Sequence, residues 1–287
     1  MIRPDDKKAW VERSIITKFR KTIWAPFLEA LRVYEMISGG DKIAVCISGG
    51  KDSMLLAKLF QQLKRHSDVN FDVEYICMNP GYNEANAKKI EDNAALLGVP
   101  VRFFKSDVFE AAELVGGELP CYMCARMRRG YLYARAKELG CNKIALGHHR
   151  SDVIETTLMG MFYGGQIQGM MPRIKSANFE GMELIRPMYC ISEEDIEHWR
   201  DYNGLEFIAC ACSFTEKVER GGQGRSVRQE MKELVKELKK RNPDVEKSIF
   251  KSIHNVQLDT LPEYKSGGVK HTFLKKFRGP ENSNGGI

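Results

Sequence analysis

From Lys42 onward the chain alternates short apolar runs with longer segments in which apolar residues recur every three or four positions. Lys42-Ile43-Ala44-Val45-Cys46-Ile47-Ser48 reads as a strand buried on both faces, and Met54-Leu55-Leu56-Ala57-Lys58-Leu59-Phe60 belongs to a helix directly after it. The pattern continues with a strand over 71–78, a helix over 84–97 and a strand over 101–104. A helix from about Cys124 to Leu139, a strand over 143–147, a helix over 151–163 and a strand over 184–188 complete the series. Strands separated by helices predict an α/β fold: a parallel sheet with helices on both faces. Ligands of such sheets sit beyond the carboxyl ends of the strands, the edge to which Ser48, Gly147 and Pro187 are assigned.

The flanks are patterned differently. Trp10, Ile15, Phe19 and Ile23 fall near helical spacing, with Lys18, Arg20 and Lys21 between them, and Pro26 separates this helix from a second one ending at Gly39-Gly40. Beyond Cys212, the residues Val227, Met231, Leu234, Val235 and Leu238 form one apolar helix face that stops near Asn242-Pro243. A shorter helix is expected over 249–256, and the last 20 or so residues, rich in Gly, Lys and Asn, are expected to be a mobile tail. The division expected is a helical extension over 1–40, an α/β domain over 41–215, and a helical extension with its tail over 216–287. No internal repeat is present.

Composition narrows the class. With 43% apolar and 29% charged residues over 287 positions the chain reads as globular rather than disordered. Charge interrupts every apolar run well before the roughly 20 residues that a bilayer-spanning helix needs. The charged N-terminus lacks the apolar stretch of a secretory signal, so a cytoplasmic location is expected. The net charge of +6 is modest, but its distribution is not even. Between Cys121 and Arg150 there are seven basic residues (Arg126, Arg128, Arg129, Arg135, Lys137, Lys143, Arg150) against the single acidic Glu138, which suggests a polyanionic partner. A solvated helix face is the plainer reading of the same arginines.

Eight cysteines in a reducing compartment are not read as four disulfides. Cys46 and Cys77 lie inside strand-like runs and Cys141 and Cys190 are isolated, so all four read as small apolar filler. The informative ones are Cys121-x-x-Cys124 and Cys210-x-Cys212. Two thiolates one helical turn apart can serve a zinc knuckle, a redox dithiol or an iron–sulfur site, or can simply pack.

Ser48-Gly49-Gly50-Lys51-Asp52-Ser53 joins a buried strand to a helix, where loop amides and the helix N-terminus converge on an anion. It has neither Walker A nor G-x-G-x-x-G spacing. The hexapeptide resembles the PP-loop of ATP pyrophosphatases, which adenylate a carbonyl oxygen and release pyrophosphate. That resemblance implies that Ser48, Gly49, Gly50 and Ser53 cradle the pyrophosphate and that Lys51 stabilises charge developing on the phosphates. Asp52 is expected to cap the helix or to help hold Mg²⁺, with capping preferred.

Three further stretches are similar to the tRNA 2-thiocytidine synthetase family: Pro120 through Gly130 around the first cysteine pair, Ile144 through Asp152 followed by Met161-Phe162-Tyr163-Gly164-Gly165, and Ile185-Arg186-Pro187. With the PP-loop, the likeness covers roughly residues 10 to 260. It implies ATP-dependent thiolation of the cytidine at tRNA position 32, with Mg²⁺ and a [4Fe–4S] cluster on three cysteines. Cys121 and Cys124 match two ligands. The family's second Cys-x-x-Cys is here Cys210-Ala211-Cys212, so both remain candidates, Cys212 preferred as ligand and Cys210 as a thiol that relays sulfur.

Gly147, His148 and His149 lie at the ligand edge beside Arg150 and Asp152, which favours nucleotide or substrate contacts over packing for the histidines. Asp152 is a candidate to hold Mg²⁺ or to orient a histidine. The basic N- and C-terminal helices are candidate RNA grips. A cysteine desulfurase or sulfide is the expected sulfur source, and a homodimer is compatible with the resemblance, though no residue demands one. Two rivals stand beside this reading: thiolation of a tRNA uridine or a small molecule, and a non-catalytic zinc-stabilised RNA- or nucleotide-binding module.

Overall fold

The computed structural model describes residues 4–106, 120–208 and 226–278, with 4–6 and 120–125 described in backbone only. Its main feature is a six-stranded sheet in the order β3-β2-β1-β4-β6-β5. The strands are β1 (Lys42–Ile47), β2 (Asp72–Asn79), β3 (Val101–Lys105), β4 (Lys143–Ala145), β5 (Arg173–Lys175) and β6 (Glu183–Ile185). All neighbours run parallel except β5, which pairs antiparallel with β6. In β1, Ile43 through Ile47 are all buried, as a strand covered on both faces must be.

Chain direction across the sheet decides where a ligand can sit. From β1 the chain moves outward through α3 (Lys51–His66), β2, α4 (Glu84–Leu97) and β3, then crosses back to the other side of β1 through a connection containing α5 (Pro120–Glu138). For these labels α1 is Pro4–Ile16 and α2 is Ala25–Val33. Right-handed crossovers taken in opposite directions put α3 and α5 on opposite faces. Tyr133 and Ala136 of α5 accordingly pack in one cluster with Ala44, Cys46, Ile76 and Ile144. Strand order reverses between β1 and β4, so the crevice beyond their carboxyl ends is the switch point where doubly wound sheets take ligands.

The first 40 residues form an integral part of the α/β unit. One compact unit spans Met1–Glu233 and a second spans Leu234–Ile287, so the N-terminal helices belong to the same unit as the sheet. The reason is a buried cation: Lys58 of α3 is fully inaccessible, and its Nζ donates to Glu12 Oε1 of α1 at 2.6 Å and to the Leu97 carbonyl of α4 at 2.7 Å. An amine buried this deeply must be paired, which ties three helices together. Val11, Ile15, Phe19 and Ile23 form the inward stripe, while Trp10 is exposed and stacks on Tyr202 at 5.8 Å, so it does not head the apolar face. Pro26 does not break the chain into a loop; it sits in the first turn of α2, behind a π-helical turn over Arg20–Trp24.

Several elements depart from the sequence pattern. The strand expected over 143–147 ends at Ala145, freeing 146–149 to shape the crevice. A helix α7 (Glu193–Tyr202), capped by Ser192 Oγ accepting from the Asp195 amide, stands where none was expected. After α6 (Arg150–Phe162), α8 (Val227–Arg241) and α9 (Val245–Ser252) comes a hairpin of β7 (Glu263–Ser266) and β8 (Val269–Thr272) and a short α10 (Phe273–Phe277), so residues expected as a tail are structured through Phe277. Residues 279–287 lie outside the described ones.

Candidate active site

The phosphate loop is built by its own hydrogen bonds. Ser53 Oγ donates to the Gly50 carbonyl at 3.0 Å and accepts from the Ser48 amide at 3.1 Å, and the two hydroxyls are 3.2 Å apart. Gly49 has φ +85°, and a Cβ there would lie 2.4 Å from Ile90 Cγ1, so backbone conformation and space both require glycine. Gly50 is the N-cap residue of α3. Asp52 therefore lies inside the first turn and does not cap it, contrary to the preferred sequence reading; its charge still favours the positive end of the helix dipole.

A second glycine closes the floor. A Cβ on Gly147 would meet the backbone of Asp52 and Ser53 at 3.2 Å, so the loop after β4 lies directly on the first turn of α3. Between them opens a cavity of about 370 Å³ whose walls include Ser48, Asp52, Ser53, Gly147, His148 and Asp152. Opposite stand Arg128, Arg129 and Leu132 of α5. The cavity thus joins the phosphate loop, the His148 loop and the helix whose first turns carry Cys121 and Cys124.

Lys51 is placed differently from expectation. It does not line this cavity; its Nζ lies 3.0 Å from Glu193 Oε1 at the start of α7 and 3.4 Å from Asp52 Oδ1. Burial disfavours its charge, but Asp52 and Glu193 outweigh that and raise its pKa, so it remains a cation. Glu193 also accepts from Lys232 of α8 at 2.7 Å. Burial opposes its ionisation, yet Lys232 and Lys51 together pull its pKa down to about 2.

A pKa depressed from 4.5 to about 2 means stabilisation that is complete above pH 4.5 and is lost as pH falls toward 2, about 3 kcal/mol in all. Glu193→Gln is therefore expected to melt about 5–10 °C lower than the wild type at pH 7, with the two melting temperatures converging near pH 2 in an acid titration followed by calorimetry. A difference that stays constant with pH would contradict the pairing.

The acidic rim is neutralised from α8. Arg228 donates to Asp152 Oδ1 at 2.9 Å and to Glu155 Oε2 at 3.0 Å. Two cations of the basic C-terminal helix, Arg228 and Lys232, are thus paired with carboxylates at and beside the cavity. Asp152 Oδ2 also accepts the His149 amide at 3.0 Å, at the start of α6. Burial is the main cause that brings His148 down to about 4, so it enters the cavity as a neutral ring. His149 is buried, 3.5 Å from Asp152 Oδ2 and 3.8 Å from Asp52 Oδ1. Sequence reading missed Glu193, Arg228 and Lys232. The Ser192-x-x-Asp195 cap signature and the four-residue spacing of Arg228 and Lys232 were the available signals.

Over residues 21–231 the chain matches the family model described as the PP-loop domain. It is 32% identical over 270 residues to the tRNA-cytidine(32) 2-sulfurtransferase of Paraburkholderia phytofirmans, a match spanning 92% of this chain and 76% of that protein. The chain belongs to the tRNA-cytidine(32) 2-sulfurtransferase family. The corresponding protein of Vibrio cholerae serotype O1 is 34% identical, over 86% of this chain and 78% of that one. In fold, the chain is similar to the U34-tRNA thiolase NcsA from Methanococcus maripaludis, solved with its [4Fe-4S] cluster: the TM-score is 0.62 at 20% identity, covering 81% and 80% of the two chains.

The donor set bears on what this family member can hold. Asp52 Oδ1 and His148 Nδ1 on the cavity wall, with His149 Nδ1 and Arg150 Nε close behind, are buried without a hydrogen-bond partner, which is unusual for buried polar atoms. No three His, Cys, Asp or Glu side chains among the described residues are grouped to hold a metal ion. Mg²⁺ takes one or two carboxylates and fills its other positions with phosphate oxygens and water, and Asp52 and Asp152 on the cavity wall are carboxylates of that kind. Cys46, Cys77, Cys141 and Cys190 are free thiols. Burial raises all four, to about 12 for Cys77 and about 11 for Cys141 and Cys190, which keeps them protonated and unsuited to ligate metal. Positions 121, 124 and 128 follow one stripe of α5, so both cysteine positions share the stripe of the cavity-lining Arg128. Cys210 and Cys212 lie outside the described residues. No helix among the described residues is long and apolar enough to cross a membrane.

Proposed function

We propose that this chain is an ATP-dependent tRNA sulfurtransferase that exchanges the 2-oxygen of cytidine at position 32 for sulfur. The observation that carries the reading is the shared cavity, in which a phosphate loop faces the arginines of the helix that bears Cys121 and Cys124. Family membership supports the same reaction.

In this reading Ser48, Gly49, Gly50 and Ser53 bind the pyrophosphate portion of ATP through amides and hydroxyls at the positive end of α3. Asp52, whose Oδ1 accepts no hydrogen bond, orients Mg²⁺ against the phosphates, while Lys51 lies near enough to exchange its carboxylate partners for phosphate charge. Gly147 lets nucleotide approach the sheet edge, and neutral His148 offers a hydrogen bond without adding charge. The base's carbonyl oxygen attacks the α-phosphorus and pyrophosphate leaves. Sulfur then attacks the activated carbon, and AMP departs carrying the oxygen. Oxygen alone leaves poorly, whereas the phosphate ester is a good leaving group, which is why ATP is consumed.

A [4Fe–4S] cluster held by Cys121, Cys124 and Cys212 would present sulfur at the sulfide level to the activated carbon. Free sulfide would need no relay, whereas sulfur from a desulfurase would travel as a Cys210 persulfide, its outer sulfur released as sulfide by two electrons from external thiols that end as a disulfide. Arg128 and Arg129 neutralise the phosphates of ATP and of the tRNA loop entering the cavity. Free thiols and a tRNA substrate fit a reducing cytoplasm.

Anaerobic reconstitution of the full chain with iron, sulfide, ATP and tRNA, followed by nucleoside mass spectrometry, tests the proposal. Expected products are 2-thiocytidine, AMP and pyrophosphate in equal amounts. Thiouridine in place of thiocytidine would overturn the choice of base, and a colourless protein holding stoichiometric zinc with no nucleoside product would overturn the enzyme.

A further inference from the structure

Midway along α5 stands a glycine that the chain's own packing does not explain. Gly130 lies inside the helix over Pro120–Glu138, where glycine is among the least favourable residues, and a Cβ there would meet nothing within 4 Å. No neighbouring side chain or backbone needs the room. Gly130 instead lines a second cavity of about 260 Å³, between α5 and the turn joining β5 to β6. Its other walls are Arg126, Arg129, Tyr133, Ser176, Asn178 and Phe179.

This cavity has the chemistry of a nucleotide site. Arg126 and Arg129 are exposed and form no ion pair among the described residues. Arg129 lines both this cavity and the phosphate-loop cavity, so the two adjoin across one side chain. Behind them the buried Arg186 has an unpartnered Nε, and burial together with the charge of Arg129 lowers its pKa to about 10. Arg126 and Arg129 thus give the cavity an anion-attracting wall, to which the nearby Arg186 adds positive field. Aromatic faces complete the lining: Phe179 is half-buried and stacks on the buried Tyr133 of α5, centroids 5.2 Å apart and planes within 16°. Asn178 adds an amide donor and acceptor.

We propose that this second cavity is an RNA-nucleotide subsite that receives the nucleotide next to the base being thiolated, with its phosphate on Arg126 and Arg129 and its base against Phe179, over Gly130. The inference rests on the tRNA reading and adds to it a place for a residue that does not react. A neighbour held there would draw the loop across Arg129 and fix the reacting base over the ATP site. Glycine at 130 gives a flat floor on which a base can lie, at a cost to the helix. Single-stranded RNA is commonly held this way, by cationic side chains along the backbone and aromatic faces under the bases.

Three variants of the full-length, cluster-reconstituted protein test it: Gly130→Leu, Phe179→Ala and Arg126→Ala. Binding of an anticodon stem-loop RNA by anisotropy, ATP binding by calorimetry, and thiolation by mass spectrometry are the readouts. Gly130→Leu is expected to raise the melting temperature by about 2–4 °C, because a good helix former replaces glycine in open space, yet to weaken RNA binding about tenfold or more. Phe179→Ala should also lose about tenfold, and an RNA lacking the base beside the target should abolish the difference between Phe179→Ala and wild type. Arg126→Ala should lower the slope of log affinity against log salt by about 0.7. ATP affinity should be unchanged in all three. Wild-type RNA affinity and thiolation in Gly130→Leu, with the helix stabilised, would overturn the subsite while leaving the proposed function intact. A wild-type protein that neither binds nor thiolates tRNA would overturn both.

Discussion

Asp52→Asn is expected to lower thiolation by about 100- to 1000-fold while changing the melting temperature by only a few degrees. Asp52 Oδ1 is buried at the cavity wall with no hydrogen-bond partner, so the fold gains little from it. Removing its charge forfeits a modest helix-dipole contribution and the 3.4 Å approach of Lys51, but Lys51 keeps its 3.0 Å contact with Glu193. The catalytic cost is different in kind, because an anchor for Mg²⁺ and the phosphates acts on charge that develops only during adenylation, where one such group is worth about 3–4 kcal/mol. Measuring pyrophosphate release and thermal unfolding on the same sample separates the two. A variant that unfolds readily, or one that turns over normally, would contradict this assignment.

Cys124→Ala is expected to be the most damaging substitution: no thiocytidine and no brown chromophore, with ATP affinity retained. Position 124 lies four residues, about 6 Å of helix rise, before Arg128 on the same stripe of α5, and position 121 about 10 Å before it. No described cysteine is suited to take over, since Cys46, Cys77 and Cys141 are buried in the core and Cys190 is also held as a thiol. The described walls of the ATP cavity include the phosphate loop, the His148 loop and Arg128, Arg129 and Leu132, all of which the substitution leaves in place. Absorbance near the thiolate-to-iron charge-transfer bands, isothermal titration with an ATP analogue and nucleoside analysis give three independent readouts. Retained colour in both Cys124→Ala and Cys121→Ala would remove the pair from the cluster.

The two expectations draw on different levels of the molecule. Cys121 and Cys124 were legible as a pair because helical periodicity fixes the relation of positions three apart without reference to the rest of the chain. The role of Asp52 was not legible in that way. Sequence reading favoured it as a cap over Mg²⁺ binding, and only the assembled loop shows Gly50 at the cap position and Asp52 Oδ1 at the cavity, near Lys51 but without a hydrogen bond. The partners of Lys51 were equally out of reach. Glu193 is 142 residues away, and Lys232, which shares that carboxylate, comes from yet another element. Contacts of that sequence separation leave no periodic trace.

Strand β5 was missed for a related reason. It is three residues long, Arg173–Lys175, and only partly covered, so neither alternation nor an apolar run marks it. Its place is set by pairing with β6, and the turn between them carries Ser176, Asn178 and Phe179 to the second cavity.

By itself, the sequence determined the strand–helix alternation, the phosphate loop, the cysteine pair on α5 and the basic character of that helix. Each is written in neighbouring residues, through apolar periodicity, the conformational demand of glycine, and one-turn spacing. Tertiary structure alone decided that the reversal of strand order between β1 and β4 brings loop, histidine and α5 around one cavity, that α1 joins the core through Lys58, and that α8 neutralises the acidic rim. Those outcomes depend on which faces are buried against which, and on where a charge removed from water can find its partner.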